Sequence, residues 1–174
     1  FLSICSAFNP FSALKASGSS TASFYEIVEK DGSGKNVKFD QFKGKVVYGV
    51  NVASRCGYTA SGYAMLEKIA KMKNDGVEVM IFPCNQFGAQ EPGTDAEIAN
   101  FCALKGVEGA NIFQKGDVNG ANTRPTYKFL KEKGILGNVD WNFQGKFVID
   151  KSGNPSAVKN ERDLPKLISK LAKA

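Results

Sequence analysis

Val46-Val47-Tyr48-Gly49-Val50-Asn51-Val52 is an apolar, β-branched run with one amide inside it, and Val77-Glu78-Val79-Met80-Ile81-Phe82 is a second run of the same kind. Runs this short and this rich in valine read as buried strands. Between them Met65, Leu66, Ile69 and Met72 recur at helical spacing and stop near Asp75-Gly76, so the whole segment reads as strand, helix, strand. Its length suits a right-handed crossover, which makes the two strands parallel neighbours. Downstream, Thr94-Asp95-Ala96-Glu97 has the form of a capping box opening a helix with Ile98, Phe101 and Cys102 on its apolar side. A helix is expected over Thr126 to Lys133, stopped by Gly134, and a strand over Lys146 to Asp150 that turns at Lys151-Ser152-Gly153-Asn154. A last helix starts near Pro165, with Leu164, Leu167, Ile168 and Leu171 on one face. Mixed elements around a parallel unit argue for an α/β sandwich of three layers.

The 174 residues, 43% of them hydrophobic, suit one domain with a core of its own. The sequence contains no histidine, which excludes Ser-His-Asp and Cys-His hydrolysis, His-ligated zinc and any imidazole proton transfer. Cys5, Cys56, Cys84 and Cys102 are irregularly spaced and form no CxxC pair, so no zinc ribbon and no two-cysteine thioredoxin motif is written here, and neither metal nor cofactor is expected. The longest apolar runs are too short to span a membrane. The net charge of +6 includes Lys159, Lys166, Lys170 and Lys173 near the end. No aromatic-interleaved basic stripe accompanies them, so they read as a solvated helix face and no nucleic-acid partner is expected.

Residues 1–22 have no acidic side chain, are rich in Ser and Ala, and lead into Ser17-Gly18-Ser19-Ser20. That composition suits a targeting leader or a disordered tail ahead of a domain over 23–174. Ser6-Ala7-Phe8 followed by Pro10 resembles the signal-to-transit junction of proteins imported into complex plastids. A plastid location is the expectation and the cytoplasm its alternative. Cys5 falls in this segment and receives no role.

Cys56 stands in Asn51-Val52-Ala53-Ser54-Arg55-Cys56-Gly57-Tyr58-Thr59, just past the carboxyl end of a strand and shortly before a helix. Open α/β sheets place reactive groups there. A helix amino terminus and Arg55 both favour thiolate over thiol, so Cys56 reads either as a nucleophile or as a small buried thiol at a tight turn. Cys84 follows the second strand in Phe82-Pro83-Cys84-Asn85-Gln86-Phe87-Gly88-Ala89-Gln90-Glu91-Pro92-Gly93, and its apolar lead-in favours a packed, inert thiol. The amides Asn85, Gln86 and Gln90 suit holding an anion without titrating, or else satisfying turn backbone. Trp141, the single tryptophan, stands before Asn142 and Phe143 and reads as a core anchor or as another uncharged donor.

Asn51 to Thr59, Phe82 to Gly93 and Trp141-Asn142-Phe143, in this order and spacing, resemble the three signature blocks of the glutathione peroxidase family, with cysteine where some members carry selenocysteine. The likeness runs over about residues 23 to 150. It implies a thioredoxin-like fold, a three-layer α/β/α sandwich around a mixed sheet, and reduction of hydroperoxides. It assigns Cys56 as the peroxidatic residue and Gln90, Trp141 and Asn142 as the rest of its tetrad. Cys102, 46 residues beyond Cys56, is similar in placement to the resolving cysteine of the thioredoxin-dependent, phospholipid-hydroperoxide-like branch. That implies an internal disulfide passed to a thioredoxin-type reductant, with glutathione the lesser alternative. The short stretch from Gly137 to Trp141 lacks the insertion of tetrameric relatives and implies a monomer. Gly145 lengthens the stretch after Trp141 by one residue, and the segment after Pro155 is shorter than usual and lacks the typical Arg-Tyr. Ile98, Phe101 and Cys102 share one helix face, so bringing Cys102 to Cys56 requires the helix over 95–105 to unwind locally. A redox sensor or relay that hands its disulfide to a signalling partner is the alternative function. An inert domain with buried thiols is the bland one.

Overall fold

The structure, a computed structural model, describes residues 23–107 and 109–174. The leader reading of residues 1–22, and Cys5 with it, lies outside the described residues. Two strands carry the architecture: β3 (Val46–Val52), preceded by a small antiparallel hairpin of β1 (Val28–Lys30) and β2 (Asn36–Lys38), and β4 (Val77–Pro83). They pair in parallel from Val46 opposite Val77 to Val52 opposite Pro83, joined by α1 (Thr59–Ala70). After α2 (Asp95–Leu104), the short β5 (Asn111–Ile112) adds in parallel to the outer edge of β4. After α3 (Pro125–Glu132), β6 (Phe147–Ile149) runs antiparallel on the other side of β3, and β7 (Pro155–Ala157) closes that edge before α4 (Leu164–Lys173). The order β5-β4-β3-β6-β7 makes the sheet mixed, as expected.

Alternation along β3 explains the layers. Val46, Tyr48, Val50 and Val52 face one side and pack with Leu66 and Ile69 of α1, Ile98 and Cys102 of α2, and Leu164 and Ile168 of α4. Val47 faces the other, with Met80 and Phe82 of β4, Phe147 of β6, and Tyr127, Phe129 and Leu130 of α3. Every residue of β3 and β4 is buried, which is why both read as continuous rather than alternating runs. Aromatic rings fill the α3 side: Phe82 stacks on Phe113 with centroids 4.9 Å apart and meets Tyr127 edge-on at 5.5 Å.

The expectations shift at the element ends. The α-helix after Thr59 stops at Ala70, and a 3₁₀ turn over Lys73–Asp75 leads to Gly76, whose φ of +78° ends the connection. The helix expected over Thr126 to Lys133 is Pro125–Glu132, with Pro125 at its first turn. The strand expected over Lys146 to Asp150 contracts to Phe147–Ile149, where β3 offers partners. On α4, Leu164 and Ile168 are buried and Leu171 packs against them, but Leu167 is 38% exposed. The buried stripe therefore runs i, i+4, i+7 and leaves i+3 at its margin. Lys166, Lys170 and Lys173 are exposed on α4, as read, while Lys159 is exposed ahead of it, outside any helix. No described helix is long and apolar enough to cross a membrane.

Candidate active site

The carboxyl ends of β3 and β4 are tied together where Cys84 N–H donates to the Val52 carbonyl at 3.1 Å. From this rim three loops rise. The first, Ala53 to Tyr58, is folded onto the start of α1 by Thr59, whose hydroxyl donates to Ala53 O at 2.8 Å and accepts from Cys56 N–H at 3.0 Å. Cys56 is partly exposed and unpaired. Its sulfur accepts from Tyr58 N–H at 3.5 Å, a backbone donor at the cap of α1 where dipoles favour negative charge.

The second loop follows β4, and its amides separate cleanly by role. Asn85 Oδ1 accepts from Glu91 N–H at 2.9 Å, and Gln86 Oε1 accepts from the N–H groups of Val118 and Asn119 at 2.9 and 3.0 Å. Both satisfy backbone. Gln90 differs: its backbone carbonyl accepts from Arg55 N–H at 3.0 Å, which joins this loop to the residue before Cys56. Ala89, just before it, has φ +51°, a strained conformation for a residue with a Cβ. Cys84 is fully buried, and burial pushes its thiol pKa up, so the packed, inert reading fits it.

The third loop, Trp141 to Gly145, arrives from the far side of the sheet. Asn142 is fully buried, and its Nδ2 donates to Gln90 Oε1 at 2.9 Å and to Phe87 O at 3.4 Å. With its oxygen engaged, Gln90 keeps its NH₂ as the end that can donate. Trp141 is 39% exposed and leans on Phe87 with centroids 5.9 Å apart, so the core-anchor reading does not hold. Gln90 and Asn142 are thus directly bonded and Trp141 stands beside them. The hydrogen bond to the Cys56 sulfur comes from Tyr58, not from these three side chains.

Sequence reasoning missed what holds the third loop. Asn51, fully buried inside β3, donates from Nδ2 to Trp141 O at 3.1 Å, accepts at Oδ1 from Gly145 N–H at 2.8 Å, and accepts at its backbone carbonyl from Phe143 N–H at 2.9 Å. The signal was present as the lone amide in an apolar strand. Gly145, the extra residue, is packed so tightly that a Cβ there would meet Tyr127 Cε1 at 2.8 Å and Asn51 Oδ1 at 3.0 Å. Phe143, at φ +61°, lays its ring on Gly62 of α1, where a Cβ would lie 2.4 Å from Cδ1.

Cys102 ends the buried face of α2. It is fully buried and unpaired, its sulfur 3.6 Å from the Tyr63 hydroxyl, and burial, the largest cause, pushes its pKa up to about 11. Thr94 caps α2 with both bonds of the expected box, Glu97 N–H to Thr94 Oγ1 at 3.3 Å and Thr94 N–H to Glu97 Oε2 at 2.7 Å. Among the described residues no group of acidic, Cys or His side chains could hold a metal ion.

A family model described as glutathione peroxidase matches residues 24–131 of this chain. The chain belongs to the glutathione peroxidase family. The glutathione peroxidase-like peroxiredoxin HYR1 of Saccharomyces cerevisiae is 50% identical over 135 residues, 75% of this chain and 82% of that protein. The phospholipid hydroperoxide glutathione peroxidase 1, chloroplastic, of Arabidopsis thaliana is 42% identical over 172 residues, 92% of this chain and 72% of that protein. The crystal structure of T. cruzi GPX1 superposes with a TM-score of 0.66 at 33% identity, covering 87% of this chain and 97% of the other. A thioredoxin family thiol:disulfide interchange protein from Chlorobium tepidum, 16% identical, has a TM-score of 0.57 over 84% of this chain and 92% of its own. At that identity only the fold is shared, and it is thioredoxin-like. The family membership makes the chain a peroxidase, an oxidoreductase.

Proposed function

We propose that Cys56 is the peroxidatic residue of a thiol peroxidase that reduces hydrogen peroxide and organic or lipid hydroperoxides, working with Gln90, Trp141 and Asn142 and resolved by Cys102. The reading is carried by the 2.9 Å bond from Asn142 Nδ2 to Gln90 Oε1, which couples two loops far apart in sequence beside the loop that carries Cys56. The Cys56 thiolate attacks the terminal peroxide oxygen, the O–O bond breaks, and water or an alcohol leaves. The sulfur becomes a sulfenic acid. Uncharged donors stabilise the reacting anions without neutralising them, which suits the Gln90 NH₂, the Trp141 indole N–H and the backbone N–H of Tyr58. With no histidine in the chain, none of this passes through imidazole.

Cys102 then displaces the sulfenic oxygen to form a disulfide, which a thioredoxin-type dithiol reduces by exchange. Full burial of Cys102 behind Tyr63 means that the last turn of α2 opens first, since disulfide geometry requires Cα atoms within about 7 Å. The protein acts as a monomer. The test is NADPH consumption in two coupled systems, one with thioredoxin and thioredoxin reductase, the other with glutathione and glutathione reductase. Many turnovers with thioredoxin and few with glutathione are expected. A single turnover in both systems would leave the chain as a sensor that passes its disulfide on. Cys102→Ser should abolish thioredoxin-driven cycling and leave one round of Cys56 oxidation.

A further inference from the structure

Glu91 is fully buried, and neither of its carboxylate oxygens meets a hydrogen-bond donor. The other buried acids among the described residues are closed: Glu29 by Arg124 Nε at 2.8 Å and Thr126 N–H at 2.7 Å, Glu78 by Lys45 Nζ at 2.7 Å and Asn111 Nδ2 at 3.1 Å. A buried acid without partners is costly and calls for a reason. Glu91 lies in the wall of a cavity of about 280 Å³ that is also lined by Ser54, Arg55, Glu97, Ile98 and Phe101. Ser54 and Arg55 lead directly to Cys56. Ile98 and Phe101 belong to the turns of α2 that end in Cys102. The cavity therefore separates the two segments that must meet when the cysteines join.

Each element packed around Glu91 brings its own groups. The hydroxyl and N–H of Ser54 are the nearest donors but do not reach hydrogen-bond geometry, and they lower its pKa only in part. Lys115, whose Nζ is held by Glu91 O at 3.2 Å and Gly93 O at 2.6 Å, and Arg55 act the same way through their charge. Burial outweighs them and raises the Glu91 pKa above the usual carboxylate range. Glu97 is held ionised by its cap to Thr94. For Tyr63 of α1 and Cys102 of α2, burial is the largest cause that raises the pKa, and the Glu91 charge adds a smaller rise.

We propose that Glu91 accepts the proton of the Cys102 thiol as that sulfur attacks the sulfenic acid of Cys56, a role that rests on the resolving assignment given above. The step balances internally. The Cys102 S–H bond and the Cys56 S–O bond break, and an S–S bond forms. One sulfur is oxidised as the other is reduced, and the thiol proton passes through the Glu91 carboxyl to the departing hydroxide, which leaves as water. Once the last turn of α2 has opened, Cys102 leaves the burial that raises its pKa, and an ordinary thiol without such a base would still be thiolate in only about one molecule in 30 at neutral pH. A carboxyl with a raised pKa is better matched to the task than an ordinary one.

The experiment treats the reduced full chain with one equivalent of hydrogen peroxide, quenches at intervals, and separates dimedone-trapped sulfenic acid from the Cys56–Cys102 disulfide by mass spectrometry between pH 6 and 10. In Glu91→Gln, the ratio of the disulfide-forming rate to the sulfenic-acid-forming rate at pH 7 is expected to fall by about tenfold or more. Its disulfide-forming rate should rise about tenfold per pH unit up to the ordinary thiol range near pH 8.5, as expected for a thiol deprotonated by solvent. The unmodified chain should level off at lower pH, and Glu91→Asp should recover part of the rate. A purely structural role would shift rates without changing the pH profile. If the unmodified chain forms no Cys56–Cys102 disulfide, the resolving assignment falls and this role with it. If it does, and Glu91→Gln matches it in ratio and profile, only the role of Glu91 is overturned.

Discussion

Replacing Asn51 by Ala tests how the sheet holds the active-site loop. The substitution removes two side-chain bonds, 3.1 Å to Trp141 O and 2.8 Å from Gly145 N–H, inside a strand with no exposed residue. Each backbone group left unpaired in a dry site costs about 1–3 kcal/mol. Gly145 is buried, with Tyr127, Asn51 and Val139 around it, so water cannot readily replace the lost partner there. The Trp141 carbonyl belongs to an exposed residue and recovers part of its loss. The sum is about 2–4 kcal/mol, a lowering of the melting temperature by roughly 5–15 °C for a domain of this size. Thermal unfolding followed by circular dichroism under reducing conditions measures it. Activity at 25 °C should fall at least tenfold in protein that is still folded, because both side-chain ties flanking Trp141 and Asn142 are lost and only the backbone bond from Phe143 N–H to Asn51 O still holds this loop to β3. Asn51→Asp keeps the acceptor for Gly145 but cannot donate to Trp141, so it should separate the two bonds. A melting temperature within 2 °C of the unmodified chain together with full peroxidase activity would refute the reasoning.

Three further outcomes follow from the same geometry. Gly62→Ala drives a methyl into the Phe143 ring; this should cost about 1–3 kcal/mol and lower activity by displacing Asn142, as thermal melting and the coupled assay would show. For Glu91 the raised folded-state pKa means that the folded chain holds its proton to higher pH than the unfolded one. Stability is then greatest below the usual carboxylate range and declines as pH rises through the raised value. Melting curves of Glu91→Gln should accordingly lie further above those of the unmodified chain at pH 8 than at pH 4. Because the chain has no histidine, the rate of Cys56 oxidation should show no titration step of an imidazole near pH 6.5, and a stopped-flow pH series would reveal one if present.

The parallel unit was legible in the sequence because β3 and β4 are buried on both faces and read as continuous apolar runs. The capping box at Thr94 was legible for a local reason, since both of its bonds lie within four residues. The strands β1, β2, β5 and β7 were not, because two or three residues of edge strand carry no periodicity and form only through partners elsewhere in the chain. At the site, the signature blocks named Gln90, Trp141 and Asn142, but not what holds them. The division of labour among Asn85, Gln86 and Gln90 depends on where Val118, Asn119 and Asn142 arrive, and composition carries no trace of that. Asn51 was visible as an amide in a strand, yet its role appears only when residues about 90 positions away fold against it. That the Glu91 oxygens lack a hydrogen-bond partner is likewise a tertiary fact.

Everything in the proposed cycle depends on which sulfur meets the peroxide first. Stoichiometric hydrogen peroxide added to the reduced chain, with rapid quenching and peptide mass spectrometry, identifies it directly. The account predicts dimedone-trapped sulfenic acid on Cys56 at the earliest times, its conversion to a Cys56–Cys102 disulfide, and Cys84 still reduced throughout. First oxidation at Cys84 or Cys102, with Cys56 untouched, would contradict it.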